Sequence, residues 1–288
     1  MGDRNELSVF HPSDFSPQSE VAFMHALKVA LAGSSRLTIL HTDAPGGRYA
    51  HWHDFPSVRD LLARWELLDA GAAQADVEQL GVDVEKIELI GEDPVETMLD
   101  YLARHPADLL VLATRGREGL PRFLHGSVAE PLARRSKTMA LFVPHGVSGF
   151  VHPEDGTVRL ERVIVPIDHQ PAAAPAVAAA VALTTALGVP DTVIELLHVG
   201  ETPPRIHPDV LSGRGAEVRT RDGAVVEAIL DEATERQAGL IVMATEGHHG
   251  VLDALRGSTT EQVLRRAPCP VLAVPALHQP SGIPEARG

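Results

Sequence analysis

Short apolar or β-branched runs alternate along the whole chain with stretches whose apolar residues return every three to four positions. In the first half the runs cover residues 7–10, 37–41, 82–90, 108–113 and 139–143. In the second half they cover 163–167, 193–199, 216–219, 240–244 and 271–274. A run such as Leu109-Leu110-Val111-Leu112 is apolar at every position, which suits a strand covered on both faces in a parallel sheet. The helix after the first strand has a clear start: Ser16 fits the N-cap and Pro17 the first turn. Val21, Met24, Leu27 and Leu31 then recur on one side, and Gly33 ends it. Its second-half equivalent, residues 172–187, is alanine-rich and bounded by Gly188-Val189-Pro190. The alternation predicts an α/β fold with parallel sheets.

The two halves repeat one another. Ala113-Thr114-Arg115-Gly116, nine residues, and Gly126-Ser127 return as Ala244-Thr245-Glu246-Gly247, nine residues, and Gly257-Ser258. The offset of 131 positions holds from Glu96/Glu227 to Pro144/Pro275. A repeat of that length predicts two copies of one domain, at residues 1–147 and 158–278. Earlier landmarks sit further apart: 154 positions from Asp14 to Asp168 and 157 from His41 to His198. The second copy is therefore 26 residues shorter between its second strand and its third helix. The first copy fills this interval with residues 43–81, including a helix candidate at 58–68. The second has only 200–215, rich in proline and glycine and too short for a crossover helix. Residues 148–157 read as a linker, and the tail after Ala276 as disordered.

Composition narrows the function classes. With 288 residues and 44 % hydrophobic content the chain can fill two ordinary cores. A net charge of −14 argues against nucleic acid, whose phosphates need a basic surface. No apolar run reaches the 18 or so residues that cross a bilayer, and the polar start does not resemble a signal peptide. The single cysteine, Cys269, lies between two prolines before an apolar run and reads as a small buried hydrophobe. The expectation is a soluble cytoplasmic protein with neither nucleic-acid nor membrane partners.

The chemistry gathers at strand ends. Pro12-Ser13-Asp14 and Pro166-Ile167-Asp168 close the first strand of each copy. In an open parallel sheet, ligands bind beyond the carboxyl ends of strands where strand order reverses. A carboxylate there can accept hydrogen bonds from ribose hydroxyls or help hold a metal. The fourth strands run through Ala113 and Ala244 into loops with Arg115, Gly116 and Gly247. Gly126-Ser127 with Val128, and Gly257-Ser258 with Thr259, then open the next helices. Glycine lets backbone N–H groups approach a phosphate, and a helix N-terminus adds free donors and the positive dipole end. The alternative is a tight strand-to-helix turn with serine as N-cap.

These residues resemble the universal stress protein family, whose signature after the fourth strand is Gly-x2-Gly-x9-Gly-Ser/Thr. The segment Arg266-Ala267-Pro268-Cys269-Pro270-Val271-Leu272-Ala273-Val274-Pro275 is similar to the family's closing strand. The resemblance implies two tandem doubly wound, five-stranded parallel-sheet domains of the adenine nucleotide alpha hydrolase-like class, paired with each other through their last strands. It also implies binding of adenine nucleotide, ATP or AMP, with or without Mg2+, as in some members. The internal pair is then a pseudo-dimer, and a homodimer of chains is a further open state.

Two departures bear on the site. Ala113 and Ala244 stand where the family has its first loop glycine, which is harmless only if both are still on the strand. Glu246 replaces Arg115 in the second copy; a carboxylate repels a polyphosphate and arginine attracts it, so the first copy is electrostatically favoured. The second keeps the fuller family motif Gly257-Ser258-Thr259-Thr260-Glu261, and which copy is occupied stays open. His248 and His249 offset Glu246 only when protonated. His41 and His198 end the second strands beside the implied adenine pocket, where they either meet a base or cap the core. His51-Trp52-His53-Asp54 has a spacing open to metal ligation or to a plain solvent-facing loop. Trp65 reads as packing. The leading expectation is a nucleotide-binding stress or regulatory protein with little or no turnover. A slow ATPase and a scaffold that binds partner proteins are the alternatives; neither loop carries a phosphate-loop lysine.

Overall fold

The computed structural model describes residues 6–46, 57–114, 128–245 and 259–276. Among the described residues ten strands form one sheet: β1 (Leu7–Pro12), β2 (Ser35–Asp43), β3 (Val82–Ile90), β4 (Leu109–Thr114), β5 (Met139–Pro144), β6 (Arg162–Pro166), β7 (Val193–Val199), β8 (Ala216–Arg221), β9 (Leu240–Thr245) and β10 (Val271–Pro275). Their order is β3-β2-β1-β4-β5-β10-β9-β6-β7-β8, so each half has the same doubly wound order and the halves meet at their last strands. Every pairing is parallel except that between β5 and β10, where Leu141 faces Leu272 and Phe142 faces Val271. The antiparallel junction removes one edge from each half. The remaining edges, β3 and β8, carry charged residues such as Asp83, Glu85, Lys86 and Glu217 at exposed positions, which discourages further strand addition.

The helices divide between the two faces. One apolar core holds α1 (Pro17–Ala30), α2 (Val58–Arg64), α3 (Gln74–Gln79) and α6 (Ala174–Ala186). The other holds α4 (Pro94–Arg104), α5 (Ala129–Ser136), α7 (Val225–Glu235) and α8 (Thr259–Leu264). Helix α1 begins as its residues require: the Ser16 hydroxyl accepts the Ser19 N–H at 3.2 Å and Pro17 occupies the first turn. Its buried surface is wider than a single stripe. Ala22, Phe23, Met24, His25, Ala26 and Leu27 are all buried, whereas the expected Val21 and Leu31 are half-buried. α6 achieves the same burial with alanines, whose small side chains bring the helix close to the sheet, and it starts at Ala174, two residues later than the sequence suggests.

The intervals between second and third strands differ in kind. α2 and α3 occupy the first, and the helix expected over 58–68 stops at Arg64 because Glu66 takes a positive φ of 57°. The second contains one turn of 3-10 helix, Pro208–Leu211. Ile206, Val210 and Leu211 pack on the core, and Arg214 pins the segment to α6 through Thr184 and Thr185 at 2.7 and 2.6 Å.

The segment between the halves is not a loose linker. Val151 bridges Val158 in antiparallel fashion, and the Arg159 N–H bonds the Phe150 carbonyl at 2.7 Å, making a small hairpin. Phe150, Val151 and Leu160 are buried in the core beside α1 and Trp65. Apolar side chains flanking the polar turn supply that anchorage, where residues 148–157 had read as a linker.

Candidate functional site

The order of strands places β1 between β2 and β4, and β6 between β7 and β9, so a crevice opens at the carboxyl end of the sheet in each half. In the first half the ladder between β1 and β4 ends at Phe10 opposite Leu110. Past that point the β1–β4 ladder stops, and the Val111 carbonyl receives Nδ1–H of His11 at 2.9 Å. His11 is fully buried, and burial lowers its pKa to about 4, so the ring is neutral. With Nδ1 donating, Nε2 accepts from Ser19 Oγ, 3.3 Å away. The Ser19 and Ser13 hydroxyls are 3.0 Å apart, and Ser13 Oγ accepts the Phe15 N–H at 3.2 Å.

This buried chain shapes the turn that carries Asp14. Pro12 ends β1, and the Ser13 N–H still bonds the Leu40 carbonyl at 2.9 Å. Phe15 then takes a positive φ of 58°, an uncommon value for a residue with a Cβ. Asp14 is exposed at the crevice mouth, where its Oδ1 accepts the Ser16 N–H at 3.1 Å. His41, at the end of β2, turns its ring back: Nδ1 donates to the Ser13 carbonyl at 2.6 Å and Nε2 stands 3.3 Å from Asp43 Oδ1. The Phe15 ring stacks on it at 4.3 Å.

The second half repeats part of this. The Ile167 N–H bonds the Leu197 carbonyl at 2.8 Å, and His198 Nδ1 donates to the Ile167 carbonyl at 3.1 Å. Pro166 ends β6 as Pro12 ends β1. The turn then diverges. Asp168 Oδ1 accepts the adjacent His169 N–H at 2.7 Å, the Asp168 main chain bridges Ala172, and the His169 ring reaches the Thr202 carbonyl at 3.2 Å.

Ala113 and Ala244 both lie within strands, paired with Val143 and Val274, and neither has a positive φ. The position therefore does not demand glycine. Val128 stands at the N-cap of α5 without a side-chain cap, and Thr259 opens α8. Arg115, Gly116, Gly126, Ser127, Gly247, Gly257 and Ser258 lie outside the described residues, as do Glu246, His248, His249 and the segment 51–54. In the first half Pro12, Asp14, His41 and Ala113 fall near or just past the carboxyl ends of their strands and Val128 at the start of α5; in the second Pro166, Asp168, His198 and Ala244 do the same, with Thr259 at the start of α8. The sequence reading missed His11, Ser13, Phe15 and Ser19. A histidine two residues after Val9, on the inward side of an otherwise apolar strand, is the signal that could have found them. Among the described residues no group of three His, Cys, Asp or Glu side chains could hold a metal ion, and no helix is long and apolar enough to cross a membrane.

The chain matches the universal stress protein family over residues 9–144 and 207–275. It is 26 % identical to a universal stress protein of Mycolicibacterium smegmatis, over 91 % of this chain and 94 % of that one. A universal stress protein of Thermus aquaticus is 46 % identical over 52 residues, 18 % of this chain and 38 % of its own. In three dimensions it resembles a universal stress protein from Archaeoglobus fulgidus with a TM-score of 0.60 and 22 % identity, covering 93 % of this chain and 98 % of that one. A universal stress protein structure from Pseudomonas aeruginosa gives 0.62 at 13 % identity and 94 % of both chains. By its sequence match and its fold, this chain belongs to the universal stress protein family.

Proposed function

We propose that the protein is a regulatory binder of adenine nucleotide, ATP or AMP, with little or no turnover. The observation that carries this reading is the meeting of three features where the β1–β4 ladder stops: the exposed Asp14 turn, the His41–Phe15 ring pair, and the carboxyl end of β4 leading toward α5. A carboxylate at a strand end suits ribose hydroxyls, and aromatic faces suit a base. Arg115, Gly116, Gly126 and Ser127, on the segment joining β4 to α5, would supply cationic and main-chain donors to phosphates. Mg2+ would accompany ATP through phosphate oxygens and water. The family resemblance independently implies the same ligand class.

The experiment is to denature freshly purified protein, identify released small molecules by mass spectrometry, and titrate ATP and AMP by calorimetry. Stoichiometric adenine nucleotide or micromolar binding supports the reading. Steady phosphate release from ATP would make the protein a slow ATPase instead. A chain that is empty and gives no heat with either ligand would be a scaffold acting through protein partners.

A further inference from the structure

We propose that the chain holds one nucleotide, in the first-half crevice, and that the second half is a closed structural copy; this rests on the nucleotide reading above. Strand register makes the comparison strict. His11 faces Ile39 and Val165 faces Leu196, while Ser13 and Ile167 send their N–H groups to Leu40 and Leu197. Positions 11 and 165, 13 and 167, and 14 and 168 are therefore equivalent.

Three differences separate the two crevices. The floor of the first is polar and fully wired, from the Val111 carbonyl through His11 and Ser19 to Ser13. The second has Val165 and Ile167 at the equivalent positions and can make no such chain. The turns differ in consequence. Ser13 Oγ holds the Phe15 N–H, which fixes the positive φ and lets the Asp14 carboxylate reach the Ser16 N–H, and α1 begins three residues after Asp14. Ile167 has no hydroxyl to hold its turn. Asp168 folds onto its own neighbour, and α6 begins only at Ala174. The mouths differ last. His41 is half-buried, with Phe15 stacked on its ring and Asp43 Oδ1 3.3 Å from its Nε2. His198 is 5 % exposed, a Cβ at Gly200 would stand 3.1 Å from its Nε2, and the His169–Thr202 bond ties the turn after β6 to the segment after β7. The first crevice thus presents a positioned carboxylate and a partly open ring pair. Both carboxylates are exposed and each accepts one main-chain N–H, so what sets the second crevice apart is its apolar floor and the extra histidine tied across the opening.

The test is calorimetric titration of the full chain with ATP, combined with 8-azido-ATP photolabelling and peptide mapping. The expected results are a stoichiometry near one and label confined to peptides from residues 6–144. Asp14→Ala, a change at an exposed position that spares the core, should weaken ATP at least about tenfold. Ser13→Ile, which installs the second-half residue, should do the same while far-ultraviolet circular dichroism stays unchanged. A stoichiometry of two, label on peptides from residues 160–276, or full-strength binding by Asp14→Ala would overturn the proposal while leaving nucleotide binding intact. An intact protein that takes up neither heat nor label would overturn the nucleotide reading itself.

Discussion

His25 Nε2 accepts the Phe150 N–H at 3.0 Å, so the first helix of the fold holds the hairpin that joins the two halves. The same nitrogen faces the Val151 N–H at 3.4 Å, and Nδ1 donates to the Val21 carbonyl at 2.8 Å. Only the neutral ring can do this, because a proton on Nε2 would point at two other N–H groups. Burial lowers the pKa of His25 to about 4, as it does for His11. An unfolded chain protonates its histidines near the ordinary value of 6.5. Between these values the unfolded state binds more protons, so stability falls as pH drops from 6.5 toward 4. Above 6.5 neither group contributes to a pH dependence. Each histidine should cost up to about 3 kcal/mol across the window. Urea melts at half-unit pH steps should show this slope, and His11→Val should remove about half of it. A flat profile from pH 7 to 4.5 would contradict the buried neutral rings.

Gly156 gives the hairpin its second anchor. Its φ is +65°, and a Cβ there would stand 2.4 Å from the Trp65 ring. Trp65 is buried and donates Nε1–H to the Pro153 carbonyl at 3.1 Å. Gly156→Ala therefore combines backbone strain with a clash against a large ring and should cost about 2–4 kcal/mol. Gly146→Ala is the internal control: its φ is +77° but nothing lies within 4 Å of the added carbon, so about 1 kcal/mol is expected. Chemical denaturation of both variants checks the difference, and equal losses would mean that the hairpin does not seat on Trp65.

Those two anchors also show where sequence reading stops. The strands were legible as apolar or β-branched runs and from the repeat, most plainly the central ones, because burial on both faces leaves an unambiguous pattern. The β5–β10 junction was implied only by the family resemblance. The hairpin was not legible. Phe150 and Val151 are separated from Leu160 by Pro153, Asp155 and Gly156, and local composition says turn without saying that its flanks are buried. α3 was missed for a related reason: it is short, mostly exposed, and buries only Val77. At the crevice, Asp14 and the proline before it were visible as a strand-end pattern. His41 was visible as well, but not the direction of its ring, which depends on the Ser13 carbonyl across the sheet. The relay from His11 through Ser19 joins β1, α1 and β4, and no local spacing encodes such a contact.

Glu195 on β7 is 1 % exposed, at the position that Thr38 holds on β2. In the first half, Thr38 is a small buried hydroxyl, and the helix on that face, α4, carries Tyr101. In the second, Glu195 receives Arg236 Nη2 from α7 at 2.8 Å and also pairs with Arg162. Glu232 on the same helix pairs with Arg221. Burial raises the Glu195 pKa, but Arg236 and Arg162 outweigh it and hold the carboxyl below its ordinary range. Its contribution is present above the ordinary value of 4.5 and fades as pH falls below it. Glu195→Thr would deprive Arg162 of its carboxylate and leave Arg236 only Glu232, 3.9 Å away; because both guanidinium groups are partly exposed, the cost at pH 7 should be about 1–3 kcal/mol. A loss under 1 kcal/mol in urea melts at that pH would mean that water already solvates the cluster.

Cys269 offers a probe of the junction between the halves. It lies between Pro268 and Pro270 just before β10, is buried, and has its pKa pushed up to about 12 by the apolar surroundings. A buried thiol with so little thiolate should not react with maleimide at pH 7.5 in the native protein, and should react fully in guanidinium. The Pro270 carbonyl accepts the Ile241 N–H at 3.0 Å and Leu272 pairs with Leu141, so exposing the thiol requires loosening of the β9–β10–β5 region. Labelling at increasing urea should then follow the loss of circular dichroism, because that region lies in the middle of the ten-stranded sheet. Labelling at urea concentrations well below the main transition would show the opposite: the antiparallel seam opens first, and the halves part before either unfolds.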